Sequence, residues 1–298
     1  MIEIQVNNLV KSFEVGKNVL DGLTFQVDQG ERVGLLGRNG AGKTTAIRIL
    51  MNVFPANSGQ VRFNGAPIDY NKVQFGYLPE ERGLYPKKKI IDQLSYFAQL
   101  KGMDRRSAVD AVDHWLERLG MTEYRNKRLD TLSKGNQQKI QLITALAHDP
   151  QVVILDEPFS GLDPVNAMLL KDVVKEEIAR GKIVLFSSHQ MNYIEEFCDS
   201  IAILNGGRIV LAGELHDIKR SYPRNRLVVR AQDDARLAAE LGPRCARGED
   251  GALLITLDSP AEKQTMMKHL AEQYDVDEIR VFEPSLNDIF VEYAGQQA

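Results

Sequence analysis

The sequence is short of the residues that mark a secreted or membrane-spanning protein. Only two cysteines occur in 298 residues, Cys198 and Cys245, neither in a CxxC pair nor beside a histidine. That excludes a disulfide scaffold and a thiolate metal site, and it fits idle thiols in a reducing compartment. Long apolar runs are missing too. Val152-Val153-Ile154-Leu155 is among the longest, whereas a membrane-spanning helix needs about 18 or more apolar residues. The first residues, Met1-Ile2-Glu3-Ile4, have no basic start and no apolar stretch, so no signal peptide is read and a cytoplasmic location is expected. No excess of positive charge is present: 37 Lys and Arg stand against 41 Asp and Glu, a net of −4. Residues 224–298 hold 9 basic and 14 acidic residues and the remainder 28 and 27, so neither part has the charge of a nucleic-acid binder. One local run, Arg82 with Lys87-Lys88-Lys89, fits a solvated loop or a contact with an anionic membrane face.

What is present is ordinary globular composition, 43% hydrophobic and 26% charged, at a length that suggests two domains. Ile2, Ile4 and Val6 alternate, as do Leu23, Phe25 and Val27, which predicts half-buried strands near the N-terminus. Residues 33–36 form an apolar strand that runs into glycines, and a helix pattern follows from Lys43 to Met51. Residues 90–147 change character. Apolar residues recur at helical spacing from Ile90, again from Ala108 to Leu119 between Asp104 and Gly120, and a third helix is expected at 135–147. Trp115 is read as core. Strands return at 152–155, 183–187 and 201–204 with helices between them, the rhythm of a parallel α/β sheet. Ser221-Tyr222-Pro223 reads as a boundary. Beyond it the order βαββαβ, then a last helix near 285–294, is the ferredoxin-like pattern.

Gly37-Arg38-Asn39-Gly40-Ala41-Gly42-Lys43-Thr44 matches G-x-x-x-x-G-K-[ST] between a strand and a helix. Its glycines let backbone N–H groups face phosphate oxygens, and the helix N-terminus adds partial positive charge. In that motif Lys43 reaches the β- and γ-phosphates and Thr44 ligates Mg²⁺. Four apolar residues ending in Asp156-Glu157 describe a buried strand that delivers acid to its carboxyl end, where nucleotide sites lie in open α/β sheets. Asp156 suits the magnesium role and Glu157 the removal of a proton from attacking water. Ser133 and Gly135 open a helix and make a second candidate anion site, which an ordinary helix cap would explain equally well.

Together these residues resemble the ATP-binding subunits of the ABC (ATP-binding cassette) superfamily over about residues 1–220. The resemblance makes 37–45 the Walker A segment, with Arg38, Asn39, Gly40, Ala41, Gly42, Lys43, Thr44 and Thr45 at the phosphates, and 152–157 the Walker B segment with its catalytic glutamate. Ser160-Gly161-Leu162-Asp163 resembles the D-loop and His189 the switch histidine. Phe13 resembles the aromatic residue that stacks on adenine. Glu80, after the strand near Gly76-Tyr77-Leu78-Pro79, stands where most members have Gln, and Leu132-Ser133-Lys134-Gly135-Asn136 replaces the usual Leu-Ser-Gly-Gly-Gln. Both departures, and the ending Ser285-Leu286-Asn287-Asp288-Ile289-Phe290, are similar to the ABC-2-type export branch that includes sodium-efflux and drug-resistance subunits.

The resemblance therefore implies a RecA-like P-loop α/β domain at 1–222 with an inserted helical subdomain at about 88–147, followed by an α+β accessory domain at 223–298. It implies ATP and Mg²⁺ as ligands. Glu157, His189 and Lys43 would be catalytic; Ser133, Gly135 and Asn136 would join the nucleotide contacts; Thr44, Glu80 and Asp156 would hold the metal. The partners would be transmembrane permease subunits on separate chains and a second copy of this chain, with no nucleic acid, at the cytoplasmic face of a membrane. Two alternatives stand beside that reading: a soluble ABC-type ATPase uncoupled from transport, and a module that uses ATP only to dimerise.

Overall fold

The computed structural model describes residues 2–81, 83–248 and 251–295. Arg82, one residue of the basic run, lies outside them; Lys87, Lys88 and Lys89 are exposed. The chain opens with β1 (Glu3–Glu14), β2 (Lys17–Asp28), β3 (Arg32–Gly37), α1 (Lys43–Leu50), β4 (Ser58–Phe63), β5 (Ala66–Pro67) and β6 (Phe75–Leu78). Three helices follow, α2 (Ile90–Leu100), α3 (Arg105–Arg118) and α4 (Lys134–Leu146). Then come β7 (Val152–Asp156), α5 (Pro164–Ala179), β8 (Ile183–Ser188), α6 (Met191–Phe197), β9 (Ser200–Asn205), β10 (Arg208–Glu214) and α7 (Leu215–Ser221). The last stretch is β11 (Arg226–Ala231), α8 (Asp234–Leu241), β12 (Cys245–Arg247), β13 (Leu253–Thr256), α9 (Lys263–Gln273), β14 (Val276–Val281) and α10 (Leu286–Ala294).

By their contacts the residues divide into two units, one reaching to Glu214 and resuming at Phe290, the other Leu215–Ile289. The sequence pattern suggested a boundary at Ser221-Tyr222-Pro223; the contacts change where β10 ends, which gives α7 to the second unit. The first unit contains an antiparallel sheet ordered β2-β1-β4-β5 and a six-stranded sheet ordered β10-β9-β3-β8-β7-β6. In the larger sheet β9, β3, β8, β7 and β6 are mutually parallel and β10 pairs antiparallel with β9. Its central strands are buried on both faces: every residue of β7 and of β8 is buried, the signature of a sheet covered by other layers on both sides. Phe159, Phe186 and Phe197 stack and cross at 5.0–6.4 Å on one flank. On the other, Val33, Leu35, Ile47, Leu50, Ile154 and Leu185 share a core with Ile4, Leu20, Leu23 and Val27 of the antiparallel sheet.

Between β6 and β7 the chain is helical, as the apolar spacing predicts. Asp104 caps α3 by accepting from the N–H groups of Arg106 and Ser107, and Gly120 follows its end at φ +66°, the left-handed turn that glycine adopts without strain. Trp115 is buried. The two N-terminal strands are longer than the short strands expected, twelve residues each, because several register shifts let one ribbon bend without breaking. The second unit forms a four-stranded antiparallel sheet ordered β12-β13-β11-β14. With α8 and α9 as its crossovers, this is the ferredoxin-like order, packed around Leu227, Val229, Leu253, Ile255, Leu270 and Tyr274.

Candidate nucleotide site

The parallel strands point their carboxyl ends to one edge, where Lys43, Glu80, Asp156 and Glu157 end or follow them. After β3 the backbone turns through Gly40 at φ +82° and Gly42 at φ +112°. At Gly42 a Cβ would lie 2.9 Å from the carbonyl oxygen of Val19 and 2.8 Å from Leu20, so both the angle and the space require glycine. α1 then begins at Lys43, whose ammonium donates to the carbonyl of Gly37 at 2.6 Å and to that of Arg38 at 3.4 Å. Only 9% of Lys43 is exposed. Burial pushes its pKa down, while the carboxylates of Glu157, Asp156 and Glu80 hold it up. The lysine is thus a desolvated cation tied only to carbonyl oxygens on its own loop, a position from which it can turn to an anion.

The opposite wall is acidic. Asp156 ends β7, 4% exposed; the Ser187 hydroxyl donates to its Oδ1 and the Tyr77 hydroxyl to its Oδ2 at 3.2 Å. Burial and the nearby Asp156 carboxylate raise the Tyr77 pKa, so the phenol stays a donor. Glu157 occupies a left-handed backbone position, φ +50°, and is equally buried. Ser188 donates to its Oε2 at 3.0 Å; the His189 backbone N–H donates to Oε1 at 2.8 Å, and His189 Nδ1 lies 2.6 Å from the same atom. A strained backbone that aims one carboxylate inward, fixed by three groups from the end of β8, is the kind of local cost found at functional sites.

One cavity of about 310 Å³ gathers Arg38, Asn39, Gly40, Gly42, Lys43, Thr44, Thr45, Glu80, Asp156 and Glu157. Val19 of β2 closes one side. The expected phosphate, metal and base residues therefore converge, except Ala41, whose side chain instead packs toward Gly37. The expected adenine residue, Phe13, does not line this cavity: it is 60% exposed and meets Phe54 edge-on at 5.5 Å, with Lys11 over both rings. Nor do Ser133, Gly135 and Asn136. Ser133 caps α4, its Oγ accepting from the N–H of Asn136 at 3.3 Å, and is exposed to solvent.

Four supporting residues are not marked by any of the sequence motifs. Tyr77, Ser187 and Ser188 are the partners of the two acids. Gln141 of α4 donates from Nε2 to the carbonyls of Pro79 at 3.2 Å and Glu81 at 3.0 Å, fixing the loop that carries Glu80. The pair Ser187-Ser188 directly before His189, at the end of an apolar strand, was the one local hint.

A family described as ABC transporter matches residues 20–160, and one described as the C-terminal domain of DrrA1-3-like ATP-binding proteins matches residues 213–294. YhaQ, an uncharacterized ABC transporter ATP-binding protein of Bacillus subtilis, is 42% identical over 98% of both chains. The Nod factor export ATP-binding protein I of Rhizobium etli is 27% identical over 100% of this chain and 95% of its own. Among solved structures, an ATP-binding subunit of an ABC transporter superposes with a TM-score of 0.66 at 32% identity, covering 73% of this chain and 92% of that one. With the glycine loop, its lysine and the paired acids at one sheet edge, these likenesses show that the chain belongs to the ABC transporter family, as an ATP-binding and ATP-hydrolysing subunit.

Proposed function

We propose that this subunit powers export through membrane-spanning subunits carried on other chains, working as a pair of identical copies on the cytoplasmic face of a membrane. ABC ATP-binding subunits pair with transmembrane permeases and dimerise, and no helix among the described residues is long and apolar enough to cross a membrane. Export is supported by the Nod factor export role of the Rhizobium etli relative and by the Ser133-Lys134-Gly135-Asn136 and Glu80 departures. We assign nucleotide chemistry to the first unit and an accessory, regulatory part to the second.

The observation that carries the reading is the convergence of Lys43, Glu80, Asp156 and Glu157 on one cavity at the sheet edge. Its oxygen donors, the Thr44 hydroxyl and the Asp156 and Glu80 carboxylates, suit a hard cation. Among the described residues no cluster of three or more acids, histidines or cysteines could hold a metal alone. That fits Mg²⁺, which is bound by one or two carboxylates together with substrate phosphates. When bound, Mg²⁺ offsets charge on the phosphate oxygens. The loop N–H groups and Lys43 hold the β- and γ-phosphates and meet the charge that develops on them. Glu157 takes the proton of the attacking water. With His189 Nδ1 on Glu157, the Nε2 of the same ring is left to meet the γ-phosphate, so one side chain links the base to the presence of ATP.

Removing a general base typically slows a reaction about 10²–10⁴-fold. Glu157→Gln keeps the shape and loses the basicity, so it should bind ATP and release phosphate at least about 100-fold more slowly. Near-normal phosphate release would sink the assignment.

A further inference from the structure

From Phe290 on, the chain belongs by its contacts to the first unit, and Ala294 is buried there at 2% exposure. The last carbonyls of a helix have no partner within it. That of Tyr293 has one elsewhere: the side chain of Asn205 donates to it from Nδ2 at 3.1 Å. Asn205 is the last residue of β9, and the turn that follows packs against the end of β3 and against β2. Leu204, just before, places its carbonyl 2.7 Å from where a Cβ on Gly37 would stand, at the start of the phosphate loop. Gly207, just after, is so close to β2 that a Cβ there would lie 2.7 Å from the Val19 carbonyl, and its own carbonyl accepts from the Asp21 N–H at 2.9 Å. Arg208 pairs with Asp21 at 2.6 Å, and Asn18 donates to Asp21 at 3.0 Å. Val19, between these anchors, lines the cavity, and its carbonyl touches the space beside Gly42.

We infer that the last turn of α10 is a positioning element for the ATP cavity: through Asn205 it fixes the 204–207 turn, and through that turn the Val19 wall. The inference rests on the reading of this cavity as the ATP site. No chemical group is added to the reacting atoms. The wall contacts nucleotide before and during hydrolysis alike, so loosening it weakens binding uniformly, raising KM and leaving kcat in place. The last turn of α10, counted with the first unit by its contacts, is thus a modulator of ATP affinity.

The experiment uses the full chain and a fluorescent ATP analogue titrated with Mg²⁺ present. Asn205→Ala removes the donor, and Asn205→Asp also sets a carboxylate against the negative end of a helix dipole. Val291→Pro, at an exposed position, removes an N–H within α10 and unwinds the turn that carries Tyr293. Each should raise Kd for the analogue about three- to tenfold, the ratio one hydrogen bond carries, with the order Asp above Ala. At saturating ATP, kcat should stay within about twofold. Asn205→Asp combined with Val291→Pro should be no weaker than the weaker single variant, since both break one link. Unchanged Kd in folded Asn205 variants would overturn the inference, as would additive losses in the double variant or a fall in kcat with Kd intact. If Val291→Pro does not fold, the two Asn205 variants decide alone. A wild-type chain that binds no nucleotide would instead overturn the functional reading itself.

Discussion

At the scale of single residues, the clearest electrostatic cost lies away from the ATP cavity. His148 follows α4 and is 9% exposed. Its Nε2 lies 3.0 Å from the carbonyl of Phe75, and its Nδ1 is buried without a partner. Burial pushes its pKa down to about 4; the Lys101 and Lys182 ammonium groups add to the fall, and the Phe75 carbonyl and Asp149 oppose it. The folded pKa is thus below the unfolded value, near 6.5. Between the two, the unfolded chain binds more protons than the folded one, so stability is whole above about pH 6.5 and is lost as pH falls toward 4. From pH 7.5 to 5 this one group should remove about 2 kcal/mol. His148→Gln cannot take up that proton. Urea midpoints measured at both pH values should therefore move less in the variant than in the wild type, and an equal shift in both would exclude His148 as the cause.

At the scale of elements, α4 connects two ends of the proposed chemistry. Its first residues are the exposed Ser133 cap, and two turns later Gln141 is buried and hydrogen-bonded to the carbonyls on either side of Glu80. Gln141→Leu keeps the volume and leaves the Pro79 and Glu81 carbonyls unmatched, which should cost about 1–3 kcal/mol in denaturant unfolding. An unchanged midpoint would mean the loop holds itself. This helix also shows what sequence discloses. Its start was legible because a serine cap is a local signal, as were the glycine loop, the Asp156-Glu157 strand end and the βαββαβ order, all written in adjacent residues or in short periods. Gln141 was not legible, since its role is set by a loop 60 residues away. The same holds for Tyr77, which meets Asp156 across 79 positions, and for Asn205, whose partner is a main-chain carbonyl 88 residues on. Phe13 was legible only through resemblance; its exposed ring packs on Phe54 and does not line the cavity.

At the scale of the whole molecule, the division of anion-binding surfaces points to the paired state. The phosphate loop lies within the cavity, whereas Ser133, Gly135 and Asn136 do not line it and Ser133 faces solvent. A helix start with free N–H groups attracts phosphate. If the Ser133–Asn136 segment serves ATP, it serves one held on another copy of the chain. We propose a head-to-tail pair in which each ATP is covered by the partner's α4, so that ATP favours the pair and hydrolysis releases it. Mixing separates this arrangement from a complete site on each chain. Lys43→Ala removes the phosphate lysine and leaves the α4 start intact; Ser133→Arg blocks the α4 start and leaves the phosphate loop intact. Each alone should be nearly inactive. In a mixed pair one cavity combines the intact loop of one chain with the intact α4 of the other. Phosphate release should then recover, toward half the wild-type rate for each mixed pair if one site turns over alone. A complete site within each chain predicts no recovery. Strict coupling between the two sites predicts none either, so a second measurement is needed: light scattering of Glu157→Gln, which should hold its ATP. A doubled mass on adding ATP supports the pair with coupled sites, and a monomer with ATP bound rejects the pair.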